Sequence, residues 1–571
     1  MYRLPAKDYD FLLRHVTAGQ SVLDAVTGGE VTFTDVGDVL ELASAVAEEV
    51  LLPLNQVGDR VGCTVADGHV TTPPGFADAY KTFTEGGWIG LGVPARSGGT
   101  GMPQLLARAA DEILCSANLA FSLVGGLTTG AIMVFDAVGD DTLRRTFLPP
   151  MLAGRWTGTM NLTEPQAGTD LAQIRTMARP SGDGTWSVTG QKIFITWGEH
   201  DLAENIVHLV LARTPDAPPG HAGLSLFVVP KYLPGADGRV GERNSLTCVS
   251  LERKLGIHAS PTCVMEYEGA TGYLIGELHR GLPSMFIMMN AARMGTGVQA
   301  LAVADRAYRQ AEAYSRERVQ SPVPGREPGA PIGEHPDVRR LLLSMGSAVS
   351  AMRGLASQTS VWLDLGQSDL QARRLAEFFL PVVKGWLTET GQQIASDAVQ
   401  VHGGMGFIEE TGVAQHYRDI RILPIYEGTT AVQANSLLGR QVARNGGALA
   451  RTVCDLIEQS LAELDAHDHP AARRVASRTR SAAAGARSAT DTLVKCVADR
   501  PRDAYAGAVA YLNLWGLLAG GWIHARILNA VLNGADPDTA DQRIREADCY
   551  AVHHLGRIPQ LVEIIEAGEI A

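Results

Sequence analysis

Several things are scarce in this sequence, and each scarcity excludes something. Seven cysteines in 571 residues, at 63, 115, 248, 263, 454, 496 and 549, show no CxxC spacing and are odd in number. That pattern argues against zinc ribbons and disulfide frameworks, and fits small buried thiols in a reducing, cytoplasmic compartment. Lys and Arg number 49 against 62 Asp and Glu, a net charge of −13. Phosphate contacts need clustered cations, so a general nucleic-acid binder is disfavoured, and the charge chiefly promises solubility. No apolar core follows the first residues, so no secretion signal is expected. The most apolar stretch, 504–531, is broken by Asn513, His524 and Arg526 and reads as a buried helix, not a membrane span.

What is present is enough for a large globular chain. An apolar share of 45% and a mean hydropathy of +0.01 exclude a disordered polypeptide, and the length calls for three or four packed units. Residues 1–155 read as helical, with Val39, Leu40, Leu42, Ala43, Val46 and Val50 at helical spacing. Over 156–281 the period turns toward two. The stretch 185–196 alternates and is rich in β-branched and aromatic residues, 207–212 and 224–229 are continuous apolar runs suited to strands buried on both faces, and 264–267 adds one more. Helices return over 282–444, at 286–318, 338–362 and 373–401, forming a bundle. Asn445-Gly446-Gly447 then reads as a linker to a last helical domain, 445–571. There Arg473, Arg474, Arg478, Arg480 and Arg487 read as a solvated basic face, with a phosphate-binding patch as the sharper alternative. The fold class is α+β.

Two stretches carry chemistry. Pro424-Ile425-Tyr426-Glu427-Gly428-Thr429-Thr430 ends an apolar run in one carboxylate, a glycine and two hydroxyls, with Gln433 following. Alone, such a Glu reads as a helix N-terminal residue favoured by the helix dipole. Upstream, Gln400-Val401-His402-Gly403-Gly404-Met405-Gly406 lets backbone approach a phosphate or another chain. The second stretch, Met160-Asn161-Leu162-Thr163-Glu164-Pro165-Gln166-Ala167-Gly168-Thr169-Asp170, follows an extended segment. Its hydroxyls and free N–H groups suit a flavin edge or a phosphate, or form an ordinary polar turn.

Together with Gln191-Lys192-Ile193-Phe194-Ile195-Thr196 and the loop Gly86-Gly87-Trp88…Gly98-Gly99-Thr100-Gly101, these segments resemble the acyl-CoA dehydrogenase flavoprotein family, in its extended subgroup with an extra helical C-terminal domain. The resemblance implies FAD as cofactor and an acyl-CoA thioester as substrate, oxidised to the trans-2-enoyl thioester. Glu427 would be the base that removes the Cα proton, with the flavin N5 taking the Cβ hydride. Met160, Leu162, Thr163 and Thr169 would line one side of the flavin and Phe194, Ile195 and Thr196 the other, Phe194 replacing the family's usual Trp. Thr169 would also meet the substrate. Arg318 would reach the FAD pyrophosphate of a neighbouring subunit, Gln400, Gly403 and Gly404 would do the same across a homodimer, and Thr429 and Gln433 would touch FAD. Arg293 is assigned to the CoA portion and Gly428 leaves room for the thioester. The backbone N–H of Glu427 would help clamp the thioester carbonyl, a donor worth about 3–4 kcal/mol in comparable sites. An electron-transfer flavoprotein is the implied acceptor. An acyl-CoA oxidase, and a non-catalytic relative that binds flavin and nucleic acid, remain the alternatives.

Overall fold

The computed structural model describes residues 4–17, 19–235 and 238–569. They divide into two compact units, neither contiguous in sequence: one of Met1–Ser44, Pro103–Ser116 and Arg293–Ala571, the other of Ala45–Met102 and Ala117–Ala292. The long helix Gly281–Glu317 belongs to both.

The second unit is built on a seven-stranded sheet in the order Leu246–Leu251, Thr262–Leu274, Trp186–Thr196, Met177–Pro180, Asn205–Arg213, Trp156–Asn161, with Leu224–Pro230 pairing both Thr262–Leu274 and Asn205–Arg213. The two continuous apolar runs are strands buried at almost every residue, as strands covered on both faces should be. Three strands had not been singled out. Trp156–Asn161 is a mixed Trp-Thr-Gly-Thr-Met-Asn text whose place comes from parallel pairing with Asn205–Arg213; Met177–Pro180 and Leu246–Leu251 are short and depend on long neighbours for partners. Helix Leu119–Val138 packs against Trp156–Asn161, where a Cβ on Gly158 would sit 2.4 Å from that of Ala131. By length and composition this helix is the one among the described residues apolar enough to cross a membrane, yet just over half of its apolar window is buried in the unit.

The first unit is helical. Pro336–Leu365, Leu370–His402 and Ala508–Leu532 pack as long neighbours. Apolar on all sides, Ala508–Leu532 is buried over nearly its whole length, the pattern of a central helix. Glycines bring it close to its neighbours: a Cβ would stand 2.0 Å from Trp386 at Gly516, 2.0 Å from the Tyr550 hydroxyl at Gly520, and on Gly354 2.2 Å from Ile523. The chain after Gly446 and Gly447, both at positive φ, therefore shares one core with the helices that precede them. Four of the five arginines of the expected basic face meet carboxylates: Arg474 meets Asp548 at 2.5 Å, Arg487 meets Asp455 at 2.6 Å, Arg473 pairs with Asp468 and Arg480 with Asp465. Deeper in the unit, the guanidinium of Arg353, 2% exposed, donates to Glu112 at 2.6 Å and lies 3.2 Å from Asp305. It ties helices Gln104–Ala117, Gly281–Glu317 and Pro336–Leu365 together.

Gly516→Ala tests how tight this packing is. Helix propensity alone favours Ala by about 1 kcal/mol, but overpacking against Trp386 costs roughly 1–3 kcal/mol. The variant is expected to lower the denaturation midpoint in urea, and a raised midpoint would show that the contact gives way freely.

Candidate active site

The carboxylate stretch folds into a strained turn ahead of helix Thr430–Ser436. Glu427 has φ 56° and Gly428 φ 92°. For a residue with a Cβ the left-handed region costs about 1–2 kcal/mol, and here the surroundings hold it in place. Thr430 N–H donates to the Pro424 carbonyl at 3.1 Å, and the Thr430 hydroxyl donates to Glu389 Oε1 at 2.6 Å. Thr429 caps the helix by accepting from Val432 N–H at 3.4 Å. The Tyr426 hydroxyl donates to Gln299 Oε1 at 2.6 Å. Gln433, buried, donates its amide to the carbonyls of Glu427 at 3.1 Å and Gly428 at 3.4 Å. Expected beside the cofactor, Gln433 thus spends its donor on the turn itself.

These bonds fix the backbone and leave the functional groups open. Among the described residues the Glu427 carboxylate accepts no hydrogen bond and its N–H donates none. Its side chain keeps some accessible surface, but protein surrounds it closely enough that desolvation dominates. Burial pushes its carboxyl up to about 7, against the opposing charges of Arg293 and Lys384. Arg293, expected at the CoA portion of a substrate, lies with Nε 3.5 Å from the Glu427 carbonyl. Burial lowers its pKa while Glu427 raises it.

Within the same unit, Arg318 is exposed and its side chain makes no hydrogen bond or ion pair among the described residues. Gln400, Gly403 and Gly404 are exposed, and a Cβ on either glycine would meet nothing within 4 Å. Beside them Phe407 is 86% exposed, with Met405 and Ile408 also open.

In the sheet unit, the stretch 160–170 is held by a buried ion pair that was not anticipated. Glu164 accepts from Lys192 Nζ at 2.8 Å, from the Thr176 hydroxyl at 2.6 Å, and from the N–H groups of Arg175 and Thr176 at 2.7 and 3.0 Å. Lys192 also donates to the Leu162 carbonyl at 2.9 Å. Burial raises the Glu164 carboxyl, but Lys192 and these donors outweigh it and hold it below its usual value. Burial brings Lys192 down to about 8. Both residues lay in quoted motifs; only the register that pairs Ile193 N–H with the Thr163 carbonyl at 2.9 Å brings them together.

With Glu164 and Lys192 turned inward, other groups face out. Thr169 is exposed, and Thr163, Thr196 and Met160 are half-buried. Phe194 has φ 60° and is 58% exposed, an aromatic ring set off the strand and into solvent. Ile195 is 1% exposed and Leu162 8%. Ile195 packs in the sheet core, and its carbonyl accepts from Gly198 N–H at 3.3 Å.

An open aromatic platform beside free hydroxyls, in a chain that also desolvates one carboxylate, is a build suited to a dehydrogenase with a flat redox cofactor. Four family models match the chain in order: acyl-CoA dehydrogenase N-terminal domain over 42–155, middle domain over 159–270 and C-terminal domain over 279–442, then an acetyl-CoA dehydrogenase C-terminal-like domain over 451–571. The chain belongs to the acyl-CoA dehydrogenase family. It is 48% identical over 561 residues to 3-methylmercaptopropionyl-CoA dehydrogenase of Ruegeria pomeroyi, covering 96% of this chain and 95% of that protein. To the broad-specificity linear acyl-CoA dehydrogenase FadE5 of Mycobacterium tuberculosis it is 33% identical, over 80% of this chain and 78% of that one. An acyl-CoA dehydrogenase of Bacillus anthracis complexed with FAD has the same fold, with a TM-score of 0.78 at 20% identity, over 98% of this chain and 92% of that one. The protein is an oxidoreductase acting on an acyl-CoA, and FAD is its cofactor. The residues fit that group: the Phe194 ring and the Thr163, Thr169 and Thr196 hydroxyls suit a flat heterocycle with polar edges, and the unobstructed Gly403 and Gly404 suit close approach to a phosphate.

Lys192→Met leaves Glu164 buried without its cation, which costs about 3–5 kcal/mol. Urea unfolding at pH 8 should show that loss, and it should shrink at pH 5, where protonation relieves the stranded charge. Equal losses at both pH values would contradict the assignment.

Proposed function

We propose that the chain oxidises an acyl-CoA across Cα and Cβ to the trans-2-enoyl-CoA, with Glu427 as the base. The observation that carries this reading is the Glu427 carboxylate itself: half-buried, free of hydrogen bonds among the described residues, raised by desolvation to about 7, and fixed on a strained turn. A general base works best when its pKa lies near the operating pH, and a carboxylate that no donor satisfies keeps its lone pairs for a substrate proton. The Glu427 N–H is a preorganised donor for the thioester carbonyl, where charge develops as the Cα proton leaves. Gly428 bears no side chain to crowd that carbonyl. FAD, when bound, supplies the acceptor for the Cβ hydride. Met160, Thr163, Thr169, Phe194 and Thr196 are the residues of the sheet unit proposed to hold it. Arg318, Gln400, Gly403, Gly404 and Thr429 are those of the helical unit.

The substrate proposed is a short acyl-CoA. Similarity at 48% along nearly the whole chain to a 3-methylmercaptopropionyl-CoA dehydrogenase puts that thioester first in any panel. An electron-transfer flavoprotein is the proposed acceptor. A homodimer is proposed because exposed Met405, Phe407 and Ile408 form an apolar edge beside the open glycines, which a second copy would cover. A reducing, cytoplasmic setting suits the seven free cysteines.

Anaerobic titration with a panel of acyl-CoA thioesters, watched through the flavin absorbance, tests the reading. Bleaching in the wild type and at least a thousandfold slower bleaching in Glu427→Gln is expected, on the order of what loss of a general base costs. Since Glu427 must be ionised to accept a proton, kcat/KM should rise with pH through about 7. Flavin that is retained yet never bleaches with any thioester would overturn the proposal.

A further inference from the structure

Lys384 lies within helix Leu370–His402, is 0% exposed, and its Nζ has no hydrogen-bond partner among the described residues. It makes no ion pair among the described residues either. An ammonium held this way is costly, since desolvation is not repaid by contact. Its neighbours explain the tightness of the site but give the amine no task. Val383 fills the space over Gly297, Gly385 sits under Leu512, and the Thr388 hydroxyl donates to the Lys384 carbonyl at 2.8 Å. Methionine would fill a similar volume with nothing left unsatisfied.

What the amine does feel is the charge of the base turn. Burial brings Lys384 down to about 8, while Glu427 first and Glu389 second favour its charged form and Arg293 opposes it. Glu389 is already engaged by the Thr430 hydroxyl at 2.6 Å, and Arg293 lies against the Glu427 carbonyl and feels Arg440 as well. Of the two cations acting on Glu427, Arg293 has the larger effect and also lies against the main chain of the turn, and Lys384 adds its charge with no contact of its own among the described residues.

We propose that Lys384 is the positioning residue of the acid–base site, an unpartnered buried ammonium whose charge, acting without contact, keeps the Glu427 carboxylate ionised and able to take the substrate's proton. The inference rests on Glu427 being the base. Reciprocity follows: a proton gained by Glu427 lowers the tendency of Lys384 to keep its own, so the two groups titrate as a pair. Loss of the lysine charge leaves Glu427 with desolvation and one cation, and its proton is held more tightly.

The test compares the FAD-loaded wild type with Lys384→Met, Lys384→Gln and Lys384→Arg. In the two neutral variants the acid limb of kcat/KM should move up by about one pH unit, so activity falls about tenfold at pH 6 and far less at pH 9; Lys384→Arg should restore the limb. Thermal melts separate this from a structural role, since Lys384→Met should melt no lower than wild type. An infrared pH titration of the protonated-carboxyl band that Glu427→Gln removes gives the same shift without turnover. An unmoved limb and band in both neutral variants overturns the inference, as does a uniform loss of activity at all pH values. Should Glu427→Gln bleach its flavin at the wild-type rate, the base assignment fails instead, a result distinct from either.

Discussion

One carboxylate is withdrawn from water next to two cations, and the helical unit is arranged to make that tolerable. A carboxylic acid near its ordinary pKa is a poor base for a carbon acid, and desolvation is the available means of strengthening it. Desolvation alone would raise Glu427 further still. Arg293 and Lys384 oppose it, and the balance falls at about 7. The result depends on two terms of opposite sign, so the geometry that sets each must be rigid. The buried hydroxyl bond from Thr430 to Glu389, the amide of Gln433 on the turn, and the close glycine contacts between helices Leu370–His402 and Ala508–Leu532 all supply that rigidity.

The sheet unit applies the same physics to another end. Glu164 and Lys192 are also buried and charged, but they touch, the Glu164 carboxylate accepts further hydrogen bonds from Thr176 and Arg175, and Lys192 donates to the Leu162 carbonyl as well. A pair satisfied in this way positions a loop and does no proton chemistry. The contrast between Glu164, held below its usual pKa, and Glu427, raised above its own, separates a scaffold carboxylate from the proposed base.

Much of this was legible in the residues. The apolar runs at 207–212 and 224–229, the alternation at 185–196 and the helical periods at 338–362 and 373–401 all correspond to observed elements within a few residues, because burial on one face or two leaves a direct pattern. Glu427 stood out by its motif. What was not legible depends on partners far along the chain. Strand Leu246–Leu251 exists by pairing with Thr262–Leu274, and the close packing of helix Ala508–Leu532 on Trp386 leaves no local pattern that announces it. Gln433 was matched to the cofactor by position, and the donation of its amide to the Glu427 and Gly428 carbonyls was a further role that the motif did not announce. Lys384 gave no local signal at all, since a lysine in a helical stretch reads as solvated until the fold covers it.

The central claim is that Glu427 removes a proton from the substrate's Cα, and isotope exchange reads that step directly. The FAD-loaded enzyme, kept anaerobic with acyl-CoA in heavy water, should incorporate deuterium at Cα, as mass spectrometry of the recovered thioester would record, with a rate that rises through about pH 7. Glu427→Gln should incorporate none above the uncatalysed background. Exchange that continues in that variant at the wild-type rate would mean that another group takes the proton, and the account built on the buried carboxylate would be wrong.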